Sequence, residues 1–267
     1  MTAGVDYAFN PHPSISALHG AKVAFVCRYI SQSAVNDTNG KNLTPPECKA
    51  LKDGGIKICV VVEEGASMML GGHSQGVASA RHADAVVSAL GMKGLPIYFA
   101  ADFDATEGQQ APINAFLDGA ATVIGGGRVG VYGGFYVVKR ALDARKAHYA
   151  WQTIAWSGGQ WDRRAQLRQG LSFTLGGASV DHDQAMSGDY GQWPRPAAPK
   201  PPAPARPDAP GVNHFDGKTS LGQVAQDRHY QDVWHWLDHE RSLNEADATH
   251  LASVAVPPAG TVWHVNP

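Results

Sequence analysis

Hydrophobic positions along the chain fall into two alternating patterns. Short continuous apolar runs bounded by turn residues read as buried strands. They are Gly4 to Tyr7, Val23 to Ile30, Ile56 to Val62, Pro96 to Asp104, Val129 to Tyr132, Tyr149 to Gln152, Leu171 to Leu175 and Ala178 to Asp181. Between them lie amphipathic stretches at helical spacing. Thr44-Pro45-Pro46-Glu47 opens one, with Thr44 as N-cap, Pro45 in the first helical position and Glu47 completing a capping box; Gly54-Gly55 ends it. Val77, Ala80, Ala83, Val87 and Leu90 form the face of a second, Ile113, Phe116, Leu117, Ala120 and Ile124 that of a third, and Val137, Val138, Ala141 and Leu142 that of a fourth. The polar stretch after Gly158 predicts another helix near Trp161 to Arg168.

Strands alternating with helices imply a parallel sheet covered by helices, an α/β class. Acids stand at the ends of the first strand (Asp6), the fourth (Asp102 and Asp104) and the last (Asp181 and Asp183). Only closure brings those ends together, so the pattern predicts a (β/α)8 TIM-type barrel rather than an open sheet. Gly125-Gly126-Gly127-Arg128 follows a helix, not a strand, which disfavours a nucleotide fold.

The pattern breaks at Pro194. From there to Pro210, eight of seventeen residues are proline, the composition of a semi-rigid spacer and a domain boundary. The predicted organisation is a barrel domain over residues 1–193, a Pro-rich linker over 194–210 and a small α+β C-terminal module over 211–267. In that module Ser220-Leu221-Gly222-Gln223 starts one helix, residues 233–237 mark a second, and Gly260 to Val265 is a closing strand.

Composition narrows the function. Across 267 residues the formal net charge is −2, and charged residues make up only 17%, with no basic stripe, so nucleic acid is not an expected partner. No apolar run approaches the ~20 residues of a membrane span, so no membrane role is expected. No N-terminal stretch has the pattern of a secretion signal, which predicts synthesis in the cytoplasm and action at a bacterial wall, or in a virion, by another route. Cys27, Cys48 and Cys59 are an odd set without close spacing; they read as small core residues, not as disulfides or zinc ligands.

The candidate chemistry is carboxylic. Asp6, Asp102, Asp104 and Asp181, with Asp183 as a fifth, would face one mouth. Crowded carboxylates repel, so at least one should hold its proton near neutral pH. Glycoside hydrolysis uses a protonated acid beside a carboxylate that acts as nucleophile, base or charge stabiliser. Tyr7, Arg28, Glu63, Tyr132, Trp151 and Gln152 lie at strand ends, and ring faces with planar polar groups suit a glycan. Plain strand-end or capping aspartates are the alternative for any single acid, and an ion pair with one of the acids is the alternative for Arg28. A carboxylate-only magnesium or calcium site is a lesser alternative. His73, His82 and His182 lack ligand spacing; no metal or other cofactor is expected.

These motifs carry a resemblance. Gly4-Val5-Asp6, the strand ending Asp102-Phe103-Asp104, Ala150-Trp151-Gln152 and Val180-Asp181-His182-Asp183 resemble the glycoside-hydrolase-like TIM-barrel domain of actinobacteria and their phages, a relative of the family 25 lysozymes. The resemblance covers about residues 3 to 193. It implies that Asp6, Asp102, Asp104 and Asp181 are catalytic and that peptidoglycan is the ligand. In this reading Asp104 donates the proton, Asp102 and Asp6 stabilise positive charge or activate water, and Asp181 and Asp183 contact substrate. Asp104 stands where the lysozymes carry Glu. The tail, around residues 219–225 and 258–265, is similar to a LysM peptidoglycan-binding module. The expected function is a phage-type, muramidase-like wall hydrolase; the alternative is a non-catalytic wall-binding or structural component of a phage tail, with other tail proteins as partners.

Overall fold

A computed structural model describes residues 2–32 and 38–196 of the chain, and the backbone of two short strands beyond them. The chain divides into two units, Met1–Pro196 and Ala197–Pro267. In the second, strands Val212–His214 and Val262–His264 pair antiparallel, the latter within the predicted closing strand. The two helices and the LysM-like motifs predicted there lie outside the described residues.

The first unit is a closed eight-stranded barrel of the TIM type. Its strands are β1 (Thr2–Asp6), β2 (Phe25–Tyr29), β3 (Lys57–Val62), β4 (Ile97–Ala100), β5 (Val129–Gly133), β6 (Tyr149–Thr153), β7 (Leu167–Leu175) and β8 (Ala178–Ala185). Among the described residues five α-helices cover it: α1 (Ile15–Gly20), α2 (Pro45–Asp53), α3 (Gly72–Ala89), α4 (Gln110–Ile124) and α5 (Phe135–Asp143). The start of α2 is as predicted, with the Thr44 side chain accepting from the Glu47 backbone and Pro45 in the first turn.

Two features depart from the (β/α)8 expectation. Strands β1 to β7 run parallel, but β8 runs antiparallel to both β7 and β1. The reason is local: Gly176 and Gly177 both have positive φ and form the tight turn of a β7–β8 hairpin, which leaves no room for a crossover helix. The helix expected near Trp161 to Arg168 is also absent. That stretch is a looped connection, with Gly158 and Gly159 at positive φ, and β7 begins at Leu167.

Alternation along the strands sorts the core into two compartments. Inside the barrel lie Phe25, Cys27, Cys59, Tyr98, Tyr132 and Trp151 among others. Between barrel and helices lies a larger aliphatic layer that includes Val26, Ile58, Val60, Phe99 and Phe116. The chain after β8 turns under the barrel, where Tyr98 donates to the Tyr190 carbonyl at 2.8 Å and Trp193 pairs with Ile58. This closes the N-terminal end of the barrel and leaves the C-terminal ends of the parallel strands as the open mouth.

Helices α3 and α4 touch backbone to backbone. A Cβ on Gly76 would sit 2.0 Å from the Phe116 carbonyl oxygen, and one on Gly119 would sit 2.1 Å from that of His73. Neither neighbour is a side chain that can swing away, so the helices would have to part. We expect Gly119→Ala to destabilise by about 3 kcal/mol, a fall in Tm of roughly 5–10 °C by thermal melting.

Candidate active site

The reversed direction of β8 assembles the site. In the β1–β8 pairing Asp6 faces Asp181 and Gly4 faces Asp183, so the β8 acids stand beside β1 at two depths. Asp181 is at the mouth. Asp183 is fully buried one layer lower.

Gln169 of β7 ties the upper layer together. Its amide nitrogen donates to Asp6 Oδ2 at 2.8 Å and reaches Asp181 Oδ2 at 3.4 Å, and its carbonyl oxygen accepts from the Tyr132 hydroxyl at 2.7 Å. The two carboxylate oxygens are thus no farther apart than the sum of those first two distances. Ser172 donates a short hydrogen bond to the other oxygen of Asp181. In the lower layer the Trp151 indole donates to Asp183 Oδ1 at 2.9 Å, while Asp183 Oδ2 is buried without a donor. Asp6 and Asp183 are within hydrogen-bonding reach of each other, so a proton held on Asp183 and donated to Asp6 satisfies that orphan oxygen.

Burial dominates the electrostatics. Asp6 is pushed up to about 8 by burial first and by the negative charge of Asp181 second; hydrogen bonds from Gln169 and Asp183 oppose the shift. Asp183 is raised by burial and then by Asp6, against the Trp151 hydrogen bond. Asp102 is raised by burial, and the nearby Tyr132 hydroxyl opposes this. Glu63 is raised by burial too, offset by Lys41, whose ammonium lies 3.7 Å away and leans over the Tyr29 ring. Asp6 therefore holds its proton at neutral pH.

A cleft of about 370 Å³ opens beside the pair. Asp6 and Asp181 form its base, the loop from Tyr7 to Pro11 one wall, and hairpin residues Gly177 to Val180 the other, with Tyr29 and Ser172 at the sides. Its volume is that of a small-molecule site.

The structure brings Asp6, Asp102, Glu63, Tyr132 and Asp181 to the mouth as expected. Asp183 and Trp151, expected to contact substrate, lie buried beneath it and hydrogen-bond each other. Four expectations need correction. Arg28 points out of the barrel, because its neighbour Cys27 points in. It stacks on the Tyr7 ring at 4.4 Å and makes a bidentate pair with Glu47 of α2, at 2.7 and 3.1 Å, instead of pairing with a mouth acid. Tyr7 contributes to the cleft wall, but its hydroxyl is turned to Glu47 at 3.1 Å. Gln152 also faces outward, holding the β6–β7 loop through Ser157, the Gln160 carbonyl and the Asp162 backbone N–H. Asp104 stands apart: β4 ends at Ala100, a bend follows at Phe103, and Asp104 is exposed with no hydrogen-bond or ion-pair partner among the described residues.

Gln169, Tyr29, Lys41 and Ser172 went unpredicted. Alternation offered a signal for Tyr29, which shares the inward parity of Phe25 and Cys27. Gln169 and Ser172 could not be placed until the reach of β7 was known.

The site is a closed barrel whose mouth holds a buried carboxylic acid, Asp6, across from Asp181. The sequence model of the Rv2525c-like, glycoside hydrolase-like domain matches residues 16–185, and the chain belongs to that family. Among solved structures, the Tat-secreted protein Rv2525c of Mycobacterium tuberculosis, crystallised with L-tartrate, is similar at 29% identity and a TM-score of 0.67, over 72% of this chain and 98% of that one. More distant resemblances include the catalytic domain of endolysin ply40 from Listeria monocytogenes bacteriophage P40 (16% identity, TM-score 0.47, 70% and 94% covered). Another is the glycosyl hydrolase 25 virulence factor GHIP of Streptococcus pneumoniae (14%, 0.48, 69% and 86%). Comparison with curated proteins returns no match.

Proposed function

We propose that the barrel is a muramidase-like hydrolase that binds glycan strands of bacterial peptidoglycan in its mouth and cleaves a glycosidic bond there. The observation that carries this reading is Asp6, a buried acid pushed up to about 8, directly across a strand pairing from Asp181 at the edge of a cleft. Opposed residues of antiparallel neighbours have Cβ atoms about 5 Å apart, which suits the close carboxyl pair of a retaining mechanism. Asp6 gives its proton to the glycosidic oxygen as that bond breaks. Asp181 takes up the developing positive charge at the sugar carbon, and water then attacks with Asp6 receiving its proton. Asp102, near Tyr132, adds negative charge on the far side of the mouth. The role first expected of Asp104 passes to Asp6 in this reading, since Asp104 lies in solvent. Cell-wall location, a virion context and wall tethering through the C-terminal unit belong to the same proposal.

The test is mass spectrometry of purified peptidoglycan after incubation at pH 4 to 8. New reducing ends are expected from the parent chain and a loss of at least ~100-fold from Asp181→Asn. One observation favours a second reading, a protein that binds wall glycan without cutting it: the position of the lysozyme Glu holds an Asp that the structure leaves exposed. Co-sedimentation with peptidoglycan but no reducing ends at any pH would establish that reading instead.

A further inference from the structure

The rim on the β5–β6 side of the mouth carries large apolar side chains that no core claims. Trp156 is 37% exposed, Ile154 38% and Tyr136 45%. Trp156 is the unusual member. Its φ is +55°, a left-handed backbone that costs a bulky residue on the order of 1 kcal/mol or more. Glycine takes that conformation freely, and Gly158 and Gly159 do so two and three residues later.

The loop is built to hold this geometry. The buried Ser157 hydroxyl donates to the Thr153 carbonyl at 2.6 Å and accepts from the Phe135 backbone at 2.9 Å and from the Gln152 amide at 3.2 Å. Gly134 makes the room, since a Cβ there would stand 3.0 Å from both the Cβ and the carbonyl oxygen of Trp156. Tyr136 is held to the same loop, its hydroxyl accepting from the Gln160 amide at 3.1 Å and its ring near the Arg140 guanidinium. The loop is joined to the acid site: the Ile154 N–H donates at 3.2 Å to the carbonyl of Gln169, the residue that bridges Asp6 and Asp181. From β8 through β7 to β6 is two strand spacings, about 10 Å.

We propose that Trp156, flanked by Tyr136 and Ile154, is a stacking platform for a pyranose ring of a β-linked glycan, one to two sugar units away from the Asp6–Asp181 cleft. A strained backbone that keeps a tryptophan at the mouth, where glycine would relax, serves the tryptophan and not the turn. A sugar is the fitting occupant. The patch is three side chains wide, far below a stable protein interface, and it is bordered by the planar amide of Gln160 and the Tyr136 hydroxyl, which suit ring hydroxyls. The proposal rests on the glycan-binding reading above.

The test is calorimetric titration of the full chain with N-acetylchitohexaose and N-acetylchitobiose, for the parent and for Trp156→Gly, with thermal melts of both. Glycine relieves the strain, so the melt of Trp156→Gly should be unchanged or higher. Affinity for the hexasaccharide should fall roughly tenfold or more while that for the disaccharide stays as in the parent. Equal hexasaccharide affinity in the two chains would overturn the platform. So would a lower melt with both ligands weakened together, which marks a structural tryptophan. A parent that binds neither oligosaccharide would overturn the glycan reading itself, and the platform with it.

Discussion

Asp6→Asn should leave the barrel folded, make it more stable than the parent at pH 8 and abolish release of reducing ends. Asparagine keeps an acceptor for Gln169 and offers an N–H to Asp183, so the local hydrogen bonds survive. What disappears is a buried carboxyl whose charge the fold resists. Its value rises from 3.8 to about 8 on folding. The folded state therefore binds a proton that the unfolded chain has lost through that interval. The stabilisation is complete below about pH 4 and is lost as pH rises to 8, on the order of 5 kcal/mol for Asp6. Asp183, raised by the same burial, adds to the slope. Melting temperature against pH should fall steeply between 4 and 8 in the parent, less steeply in Asp6→Asn, and less again in the double variant with Asp183→Asn. Identical slopes in parent and variants would show that Asp6 titrates as an ordinary surface acid.

The opposite limb of that curve belongs to Glu47. Burial works against its ionisation, but hydrogen bonds from His12 and Arg28 outweigh it and hold the carboxyl at about 2. Its contribution is present above the ordinary carboxylate range and is lost as pH falls toward 2. The two clusters lie on opposite sides of β1 and β2, and together they place maximum stability near pH 4. A buried mouth acid and a clamp that secures the loops behind it thus pull stability in opposite directions with pH.

Most strands were legible because buried parallel strands are continuous apolar runs, as in Val23 to Ile30 and Ile56 to Val62. The direction of β8 was not, since periodicity has no sign. Yet Gly176-Gly177 between two extended runs is a hairpin signal, and reading it as such would have reversed the strand. The acids were found because they end apolar runs. Their neighbours were misplaced because adjacent residues of a strand face opposite ways: Asp6 in and Tyr7 out, Cys27 in and Arg28 out, Trp151 in and Gln152 out. Parity alone separates each pair. Asp104 fails for another reason, because the bend at Phe103 ends the alternation that would have aligned it with Asp102. Trp161 and Arg168 fell at helical spacing, but the guanidinium lies 5.7 Å from the indole across a loop, not along a helix.

Asp183→Ala and Asp183→Asn should separate what the lower acid does for the upper one. Asp183 accepts from the Trp151 indole through one oxygen and, as a carboxylic acid, can donate to Asp6 through the other, which otherwise has no partner. Asparagine reproduces both connections, so Asp183→Asn should change stability at pH 5 by less than about 1 kcal/mol and leave the pH profile of Asp6 in place. Alanine reproduces neither. It leaves the buried Trp151 N–H unpaired and a cavity beneath Asp6, a loss of about 2–4 kcal/mol in chemical denaturation. It also removes the donor that favours the Asp6 carboxylate, so Asp6 should hold its proton to higher pH. The alkaline fall in glycan hydrolysis, expected near pH 8 in the parent, should then move upward. Carbon-13 NMR titration of the Asp6 carboxyl reads the same shift without any substrate. A downward shift, or equal damage from the two substitutions, would mean that Asp183 acts on Asp6 as a charge and not as a donor.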